Sequence, residues 1–463
     1  MAATASLLEA LAGWIGRQRW FAGKGVVPRL RLVGSLEWRS DHDLRISTHL
    51  VVDAAGDSEV LYQVPVILRR QAYQPAEHTR IGAVTDDDGE LWHAYDAAHD
   101  PLFAQLLLQL VVDGGAIGGD HAVAHGVPGG RSTLDAGRRT MRVLESQVLR
   151  GEQSNTSIVY RVDDGGRERG VICKIFRSLH HGENPDVVLQ SALFAAGCHY
   201  VPATIGSVLA EWPDAAQAAP GARGHLAFAQ EFLDGAVDAW RLALSAAVDG
   251  RDFTHSAREM GIATADVHAT LASVLPTRDA TVTDIDDAIA GWGERLKAAV
   301  RQIPGLEDLR RPVEALYARA RHVSWPRLQR IHGDLHLGQI LATGDQRWAI
   351  IDFEGEPMRP LAERSLVDVP LRDVAGMLRS FDYVAGSQTD APGVQEWARS
   401  CRRAFVDGYT ERTDDDLAGR ALLLDAFELD KALYEAVYEA RNRPAWVGIP
   451  TAAARRLALR AAG

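Results

Sequence analysis

The alternation of apolar and polar residues predicts a small sheet near the start of the chain. A short amphipathic helix covers residues 1 to about 20, and Gly23 helps to end it. Three segments with a two-residue period then favour strands, namely Leu30–Gly34, Arg45–Val52 and Val60–Leu68. The segment Leu91–Asp96 and a helical pattern from Pro101 to Val112 close this unit. The Gly-rich stretch 114–130 that follows predicts a linker or a mobile loop.

A second group of strands precedes a long helical region. The predicted strands are Met141–Leu149, Ile158–Val162 and Gly170–Phe176. The polar loop Gly151–Ser157 joins the first two, which predicts a hairpin able to cover a phosphate group. After Gln230–Leu233 the pattern is helical to about residue 322. Short apolar strand candidates at Arg330–Ile331 and Trp348–Asp352 interrupt it before helices return. This order resembles a kinase N-lobe followed by a helical C-lobe, and it predicts an α+β fold.

Composition and charge narrow the class of ligand. The 463 residues suffice for about three domain-sized units, and 46% are hydrophobic and 24% charged, as in ordinary globular enzymes. The formal charge of −12 disfavours nucleic acid and anionic membranes as partners, and it favours a small neutral or locally guided ligand. The three cysteines are too few and too widely spaced for a disulfide scaffold. The start of the sequence has no basic segment followed by an apolar core, and no apolar run approaches the roughly 20 residues of a membrane-spanning helix. We therefore expect a cytoplasmic protein.

The motif His332–Gln339, followed by Ile351–Glu354, supplies the groups that phosphoryl transfer needs. Asp334 lies in a short loop after an apolar segment, where its carboxylate can align or deprotonate an acceptor hydroxyl. Gln339 offers an amide oxygen and Asp352 a carboxylate, which together suit Mg²⁺. Glu354 is a candidate for a second or supporting ligand. The ordered set predicts an ATP-dependent phosphotransferase, whereas any one of these acids alone is typical of a solvated loop.

Three further segments are candidates for holding the nucleotide. Lys174 lies in an apolar strand, where a charge is costly unless it is paired or faces a cleft, so we expect it to contact phosphates. The loop residues Gln153, Ser154, Asn155, Thr156 and Ser157 offer amides, hydroxyls and backbone N–H groups to phosphate oxygens. Gln230, Glu231 and Leu233 fall between the sheet-rich and helical halves, where a hinge backbone can bind adenine. An ordinary buried strand explains this last segment nearly as well.

A predicted helix near the C-terminus concentrates groups that suit a sugar. Tyr434 and Tyr438 are four residues apart, Glu435 and Glu439 form an adjacent stripe, and Pro444 is expected to end the helix. Aromatic faces, carboxylates and guanidinium groups together recognise the CH face and the hydroxyls of a polyhydroxylated ring. The alternative is a helix with surface ion pairs and a tyrosine in the core.

These motifs closely resemble those of the bacterial maltokinases. The resemblance rests on Gly151–Ser157, His332–Gln339, Ile351–Pro360, Asp373–Tyr383, Tyr434–Trp446 and the N-terminal Arg17–Lys24, and so spans nearly the whole chain. It implies a protein-kinase-like, bilobal fold of the aminoglycoside-phosphotransferase type with an N-terminal cap subdomain. It also implies conversion of ATP and maltose to ADP and maltose 1-phosphate, which in the family feeds glycogen and α-glucan synthesis and gives a link to trehalose and α-glucan enzymes.

The resemblance also implies site residues and a domain organisation. It makes Asp334 the base, Gln339 and Asp352 the magnesium ligands and Lys174 a nucleotide contact. It places six residues around the sugar, namely His336, Arg372, Tyr438, Glu439, Arg443 and Trp446. The expected domains are the cap at 1–90, an intermediate region and N-lobe at 91–233, and the helical C-lobe at 234–463. Relatives commonly carry an acid where this chain has Val188, so the partner of Lys174 is open between Glu183 and Asp186.

Two other functions are compatible with the sequence. The phosphate machinery is shared among kinases of small hydroxylated substrates, so the acceptor can instead be glucosamine or an aminoglycoside. A catalytically inactive nucleotide-binding module is the alternative from a different class, and the intact Asp334, Gln339, Asp352 and Lys174 argue against it.

Overall fold

The computed structural model describes residues 2–56, 59–130, 141–149, 154–213, 221–344, 347–356, 359, 361–388, 391–413, 417 and 419–462. The chain divides into two compact units. The first comprises Met1–Ser191 and Pro202–Asp234, and the second comprises Ala192–Val201 and Gly235–Gly463. The expected boundaries at residues 90 and 233 stay predictions.

The first sheet of the first unit contains the strands that the alternating pattern predicts. Its strands are β1 Leu30–Ser40, β2 Leu44–Asp53, β3 Val60–Arg69, β4 Arg80–Thr85 and β5 Leu91–Asp96. They pair antiparallel in the order β1-β2-β3-β5-β4. Helix α1, Ala2–Ile15, packs on one face through Leu11 and Trp14. Helix α2, Pro101–Asp113, packs on the other through Phe103 and Leu107. Because both faces of the sheet are covered, β3 is a nearly continuous buried apolar run.

The second sheet of this unit contains several of the residues predicted to contact the nucleotide, namely Thr156, Ser157, Lys174, Gln230 and Glu231. Its strands are β6 Ala116–Gly118, β7 Val123–Pro128, β8 Met141–Val148, β9 Thr156–Asp164, β10 Arg167–Ile175, β12 Thr204–Trp212 and β13 Ala222–Glu231. Their order is β6-β7-β12-β13-β10-β9-β8. The short strand β11, Ser178–Leu179, pairs with β3 instead, and helix α3 covers Pro185–Ala195. The antiparallel pairing of β8 with β9 confirms the predicted hairpin.

The prediction of a linker or mobile loop at 114–130 is wrong, because this stretch contains β6 and β7. The glycines allow close backbone approach. Gly114 ends α2 in the left-handed region at φ 65°. A Cβ on Gly126 would lie 1.8 Å from the carbonyl oxygen of Leu110. Glycine content alone does not distinguish such packing from flexibility.

The second unit is mainly helical. Its helices are α4 Ala239–Val248, α5 Thr254–Val274, α6 Val282–Gln302, α7 Arg310–Ala320, α8 Leu361–Arg364, α9 Leu371–Ser387, α10 Val394–Arg412, α11 Ala421–Asn442 and α12 Gly448–Ala462. A short antiparallel sheet joins β14 Val237–Asp238, β15 Ile340–Ala342 and β16 Trp348–Ile350. The prediction of a strand at Arg330–Ile331 is wrong. Leu328 and Gln329 form isolated bridges there, and the short strand begins at Ile340.

Helix α11 lies at the centre of the second unit and packs against α6, α7, α9 and α12. Its buried positions include three acids, each paired with an arginine. Arg402 binds Glu428, Arg295 binds Asp430 and Arg443 binds Glu439. Buried carboxylates are costly unless they are paired, so these contacts allow the helix to be covered on most sides. The helix ends at Asn442, just before Pro444, as predicted.

Candidate active site

Asp334 lies in a loop that backbone hydrogen bonds hold from two sides. The Asp373 carboxylate, in the first turn of α9, accepts the N–H of His332 at 2.8 Å and that of Gly333 at 2.9 Å. Further along α9, Ser380 Oγ accepts the N–H of Leu337 at 3.0 Å. His332 Nε2 donates to the carbonyl oxygen of Ile351 at 2.9 Å, which ties the loop to the chain after β16. The backbone on each side of Asp334 is therefore fixed.

The carboxylate of Asp334 forms an ion pair that the sequence did not predict. Lys431 Nζ on α11 donates to Asp334 Oδ1 at 3.0 Å and lies 3.5 Å from Glu356 Oε1. Burial acts to raise the pKa of Asp334, but the charge and hydrogen bond of Lys431, together with His336 and His332, outweigh it, and the pKa lies below its ordinary value. Asp334 is thus held in the ionised form that a base requires.

The two predicted magnesium ligands lie in direct contact. Gln339 Nε2 donates to Asp352 Oδ2 at 3.0 Å, which leaves the Gln339 carbonyl oxygen as the atom that it can offer to a cation. Asp352 has φ 68°, in the left-handed region, where a residue other than glycine is uncommon and often functional. A carboxylate oxygen of Glu354 lies within 4.8 Å of one of Asp352. This set of hard oxygen donors fits Mg²⁺.

Lys174 on β10 pairs with Asp186 at the start of α3. Lys174 Nζ lies 2.8 Å from Asp186 Oδ2, and the side chains are 17% and 1% exposed. Two further hydrogen bonds hold Asp186. Gln190 Nε2 donates to Asp186 Oδ1 at 2.9 Å, and the backbone N–H of Asp186 donates to Asn184 Oδ1 at 2.9 Å. Of the two acids that the sequence left open, the structure pairs Lys174 with Asp186.

The polar loop before β9 ends at Asn155, two residues earlier than predicted. Gln153 lies outside the described residues, as do Gly151 and Glu152, and Ser154 and Asn155 form the described part of the loop. Thr156 and Ser157 are the first residues of β9 and are buried. Thr156 Oγ1 accepts a hydrogen bond from Arg177 Nε at 2.8 Å, so this hydroxyl supports the strand. Phosphate binding by this segment stays a prediction.

The proposed hinge begins at the end of β13, which contains Gln230 and Glu231. The N–H of Glu231 donates to the carbonyl oxygen of Ala203 at 2.8 Å. The side chain of Leu233, two residues beyond the strand, is partly exposed. Gln230 and Glu231 thus lie in a strand, as the alternative predicted, but they are only partly buried. Adenine binding by this segment stays a prediction.

The structure brings together four of the six residues assigned to the sugar. Glu439 is 1% exposed, and its carboxylate accepts from Arg443 Nε at 2.9 Å. The Arg443 guanidinium carbon lies 5.0 Å from the ring centroid of Trp446 and 5.8 Å from that of Tyr438. Tyr383 joins the group, because its hydroxyl donates to Glu439 at 3.1 Å and its ring stacks on Trp446 at 6.3 Å. Trp446 also lines a cavity of about 600 Å³, with Asp382, Gln395 and Arg456 among its other lining residues.

The other two, His336 and Arg372, make different contacts. His336 Nδ1 accepts the N–H of Gly338 at 3.0 Å, and its ring interacts electrostatically with Asp334. Arg372 Nε donates to Asp368 at 2.8 Å, and its guanidinium carbon lies 5.6 Å from the Phe427 ring centroid. His336 thus interacts with Asp334, whereas Arg372 is held by an acid four residues before it.

Sequence reasoning missed Lys431, Glu356 and Tyr383 as members of the site. A signal for Lys431 was present, because it precedes Tyr434 by three residues, Glu435 by four and Tyr438 by seven, and so shares their helix face. Lys431 Nζ indeed lies 5.4 Å from the Tyr434 ring centroid. No comparable signal marks Glu356, whose role depends on a contact with a helix far along the chain.

Two family models match the chain. Residues 14–100 match the maltokinase N-terminal cap domain, and residues 146–423 match the phosphotransferase enzyme family. The second match covers more than half of the chain. The chain therefore belongs to the phosphotransferase enzyme family, and it has the kinase-like α+β fold that the motifs predicted. It also carries a maltokinase-type N-terminal cap domain, which confirms the resemblance drawn from the sequence.

Relatives with significant similarity include two glucosamine kinases. That of Streptacidiphilus jiangxiensis is 32% identical over 253 residues, which cover 49% of this chain and 56% of the relative. The chain thus matches a little over half the length of that relative. The glucosamine kinase of Mycolicibacterium smegmatis (strain ATCC 700084 / mc(2)155) is 29% identical over 349 residues, covering 69% of this chain and 83% of the relative.

Solved structures of similar fold also include glucosamine kinases. One, in complex with glucosamine, ADP and inorganic phosphate, has a TM-score of 0.66 at 22% identity and covers 99% of this chain and 100% of that chain. Crystal form B of a glucosamine kinase has a TM-score of 0.68 at 23% identity, with 97% and 98% coverage. At this level of identity the likeness establishes the fold alone.

Among the described residues, no helix is both long enough and apolar enough to cross a bilayer.

Proposed function

We propose that the chain is an ATP-dependent sugar kinase that phosphorylates maltose to maltose 1-phosphate, a product for glycogen and α-glucan synthesis. The observation that carries the reaction type is the ion-paired Asp334 in a fixed loop, in the same unit as the contacting pair Gln339 and Asp352. Membership of the phosphotransferase family supports the same reaction and implies ATP as the donor.

Each group has a separate task in this proposal. Asp334 would accept a hydrogen bond from the attacking hydroxyl and then its proton. Gln339 and Asp352 would hold Mg²⁺, which when bound neutralises charge on the transferred phosphate groups. Lys174, kept in place by Asp186, would bind the nucleotide phosphates. The loop from Gln153 to Ser157 and the segment containing Gln230, Glu231 and Leu233 would complete the nucleotide contacts.

Two observations favour maltose as the acceptor. The first is the match of residues 14–100 to the maltokinase cap domain. The second is the cluster around Glu439, in which Tyr438, Arg443 and Trp446 offer aromatic faces beside directional hydrogen-bonding groups. The cavity of about 600 Å³ that Trp446 lines is within the range of small-molecule sites. His336 and Arg372 are proposed as further sugar contacts.

The second candidate is a glucosamine kinase, which the names of the relatives favour. An ADP-release assay with maltose, glucose, glucosamine and an aminoglycoside separates the two. We expect release that depends on maltose and Mg²⁺, with loss of the sugar's reducing end because phosphorylation at C1 blocks it. Turnover of glucosamine without turnover of maltose would overturn the proposal. ATP binding without turnover on any sugar would instead favour an inactive nucleotide-binding module.

The wider context of the protein is part of the same proposal. We propose a cap at 1–90, an intermediate region and N-lobe at 91–233 and a C-lobe at 234–463. We also propose a cytoplasmic location and a functional link to trehalose and α-glucan enzymes. Limited proteolysis tests the domain boundaries, because cleavage concentrates in exposed connections between folded units.

A further inference from the structure

Lys431 connects the proposed base to a second carboxylate. Its Nζ lies 3.0 Å from Asp334 Oδ1 and 3.5 Å from Glu356 Oε1. The three side chains are 23%, 22% and 12% exposed, so solvent screens the group only in part. Burial acts to lower the pKa of Lys431, but the carboxylates of Asp334, Glu356 and Glu435 together outweigh it, and the pKa lies well above its ordinary value. The ammonium charge is therefore permanent under assay conditions.

Three carboxylates near Lys431 or in the proposed sugar site have arginine partners within the chain, namely Glu356, Glu435 and Glu439. Arg359 lies 3.5 Å from Glu356, so this acid interacts with two cations. Arg379 Nε on α9 donates to Glu435 on α11 at 2.8 Å. Arg443 Nε donates to Glu439 at 2.9 Å. A cationic substrate normally binds carboxylates whose charge is available, and here each of these charges is already balanced.

We propose that Lys431 is a positioning and specificity residue, which makes the acceptor site selective for a neutral sugar over a protonated amino sugar. This inference rests on the proposed function and deepens it. Lys431 holds Asp334 Oδ1, which leaves the other carboxylate oxygen to align a neutral hydroxyl. The ammonium group of an amino sugar would meet a like charge. Lys431 already occupies Asp334 Oδ1, so an ammonium group placed beside this carboxylate would also have to compete with Lys431 for it.

The test compares glucose with glucosamine, which differ in the group at C2, with N-acetylglucosamine as an uncharged control for bulk at that position. Each sugar is measured as a substrate or as a competitive inhibitor of maltose turnover, at a pH where glucosamine is protonated. In the wild type we expect glucose to be favoured over glucosamine. In Lys431→Met this preference should fall by about tenfold or more because the like charge is removed. The ratio of glucose to N-acetylglucosamine should stay unchanged.

Three further variants distinguish a charge effect from a structural one. Lys431→Arg keeps the charge and should keep the preference for glucose. Glu356→Gln removes a negative charge beside Lys431, so it should strengthen the preference for glucose, whereas Lys431→Met weakens it. It provides a second test if Lys431→Met does not fold. Lys297→Met is the matched control, because Lys297 is 54% exposed on α6 and pairs with Glu294. It should change nothing.

The pH profile provides an independent readout. Loss of Lys431 removes the charge that lowers the pKa of Asp334, so the acidic limb of the kcat profile should move to higher pH in Lys431→Met and stay in place in Lys431→Arg. A merely structural role would lower kcat without moving that limb.

The outcomes separate this inference from the proposed function. Wild-type preference for glucosamine, or an unchanged sugar ratio in Lys431→Met, overturns the role of Lys431 whatever the result with maltose. Absence of maltose turnover, together with a reduced preference for glucose in Lys431→Met, overturns the proposed acceptor and supports the role of Lys431.

Discussion

The Oδ2 atom of Asp373 accepts the backbone N–H of His332 at 2.8 Å, so the first turn of α9 fixes the loop that carries Asp334. The same oxygen lies 3.0 Å from His268 Nε2 on α5, and Asp373 is 1% exposed. One buried carboxylate thus connects two helices with the loop of the proposed base.

Asp373→Ala should destabilise the protein and reduce turnover. It leaves the buried N–H of His332, the partly buried N–H of Gly333 and His268 without their acceptor, which costs roughly 3–5 kcal/mol in the free energy of unfolding. The loop around Asp334 would also lose its support, so kcat should fall even at temperatures where the variant is folded. Urea denaturation and steady-state kinetics measure the two effects. Asp279→Asn, at a side chain that is 89% exposed, should affect neither.

The contribution of Asp373 should depend on pH in a defined direction. Burial acts to raise its pKa, but the hydrogen bond and charge of His268 outweigh this, and the pKa lies below the ordinary value of 3.8. A lowered pKa in the folded state gives stability that is fully present above 3.8 and is lost as the pH falls through the folded-state pKa. The difference in unfolding free energy between the wild type and Asp373→Asn should therefore be constant near neutral pH and shrink only in that acidic range. A difference that shrinks near neutral pH would contradict this assignment.

Asp334→Asn should retain ATP affinity and lose turnover. Asparagine preserves the size of the side chain but cannot accept the proton of the acceptor hydroxyl, so kcat should fall by about 10²–10⁴-fold. Nucleotide titration and a coupled ADP assay report the two quantities. Turnover close to that of the wild type would remove Asp334 from its assigned role.

Asp352→Asn should raise the Mg²⁺ concentration required for activity. Because Asp352 has φ 68° and asparagine tolerates the left-handed region, this change removes a charge with little added backbone strain. The Mg²⁺ concentration that gives half-maximal activity should rise by about tenfold or more, which is the effect expected for the loss of one ligand interaction. Asp352→Ala adds strain to the charge loss and should also lower stability. An unchanged midpoint in Asp352→Asn would argue against a ligand role.

Lys174→Met and Asp186→Asn should both raise the KM for ATP and leave the KM for the sugar unchanged. The two side chains are 2.8 Å apart, so they should act as a unit, and the double variant should be little worse than Lys174→Met. Steady-state kinetics on the four proteins form a double-mutant cycle. Additive effects would show that Asp186 acts independently of Lys174.

Much of the chemistry could be predicted because it lies in short local motifs. The loop from His332 to Gln339 and the turn after β16 contain the proposed base and the candidate metal ligands, and local spacing predicts them without knowledge of the fold. The period-two pattern likewise predicted β1, β2 and β3, since each is covered on at least one face. The same pattern failed at β6 and β7, where close backbone packing requires glycines that resemble a loop signal.

The sequence by itself determined the reaction class, the candidate base, the candidate metal ligands and the helix with aromatic and acidic residues near the C-terminus. Only the tertiary structure decided the partners of those groups. It paired Lys174 with Asp186, Asp334 with Lys431 and His332 with Asp373. Asp334 and Lys431 are 97 residues apart in the chain, and no local pattern encodes such a contact. The packing of α11 brings their charges together, and a carboxylate has its functional pKa only in the presence of that neighbour.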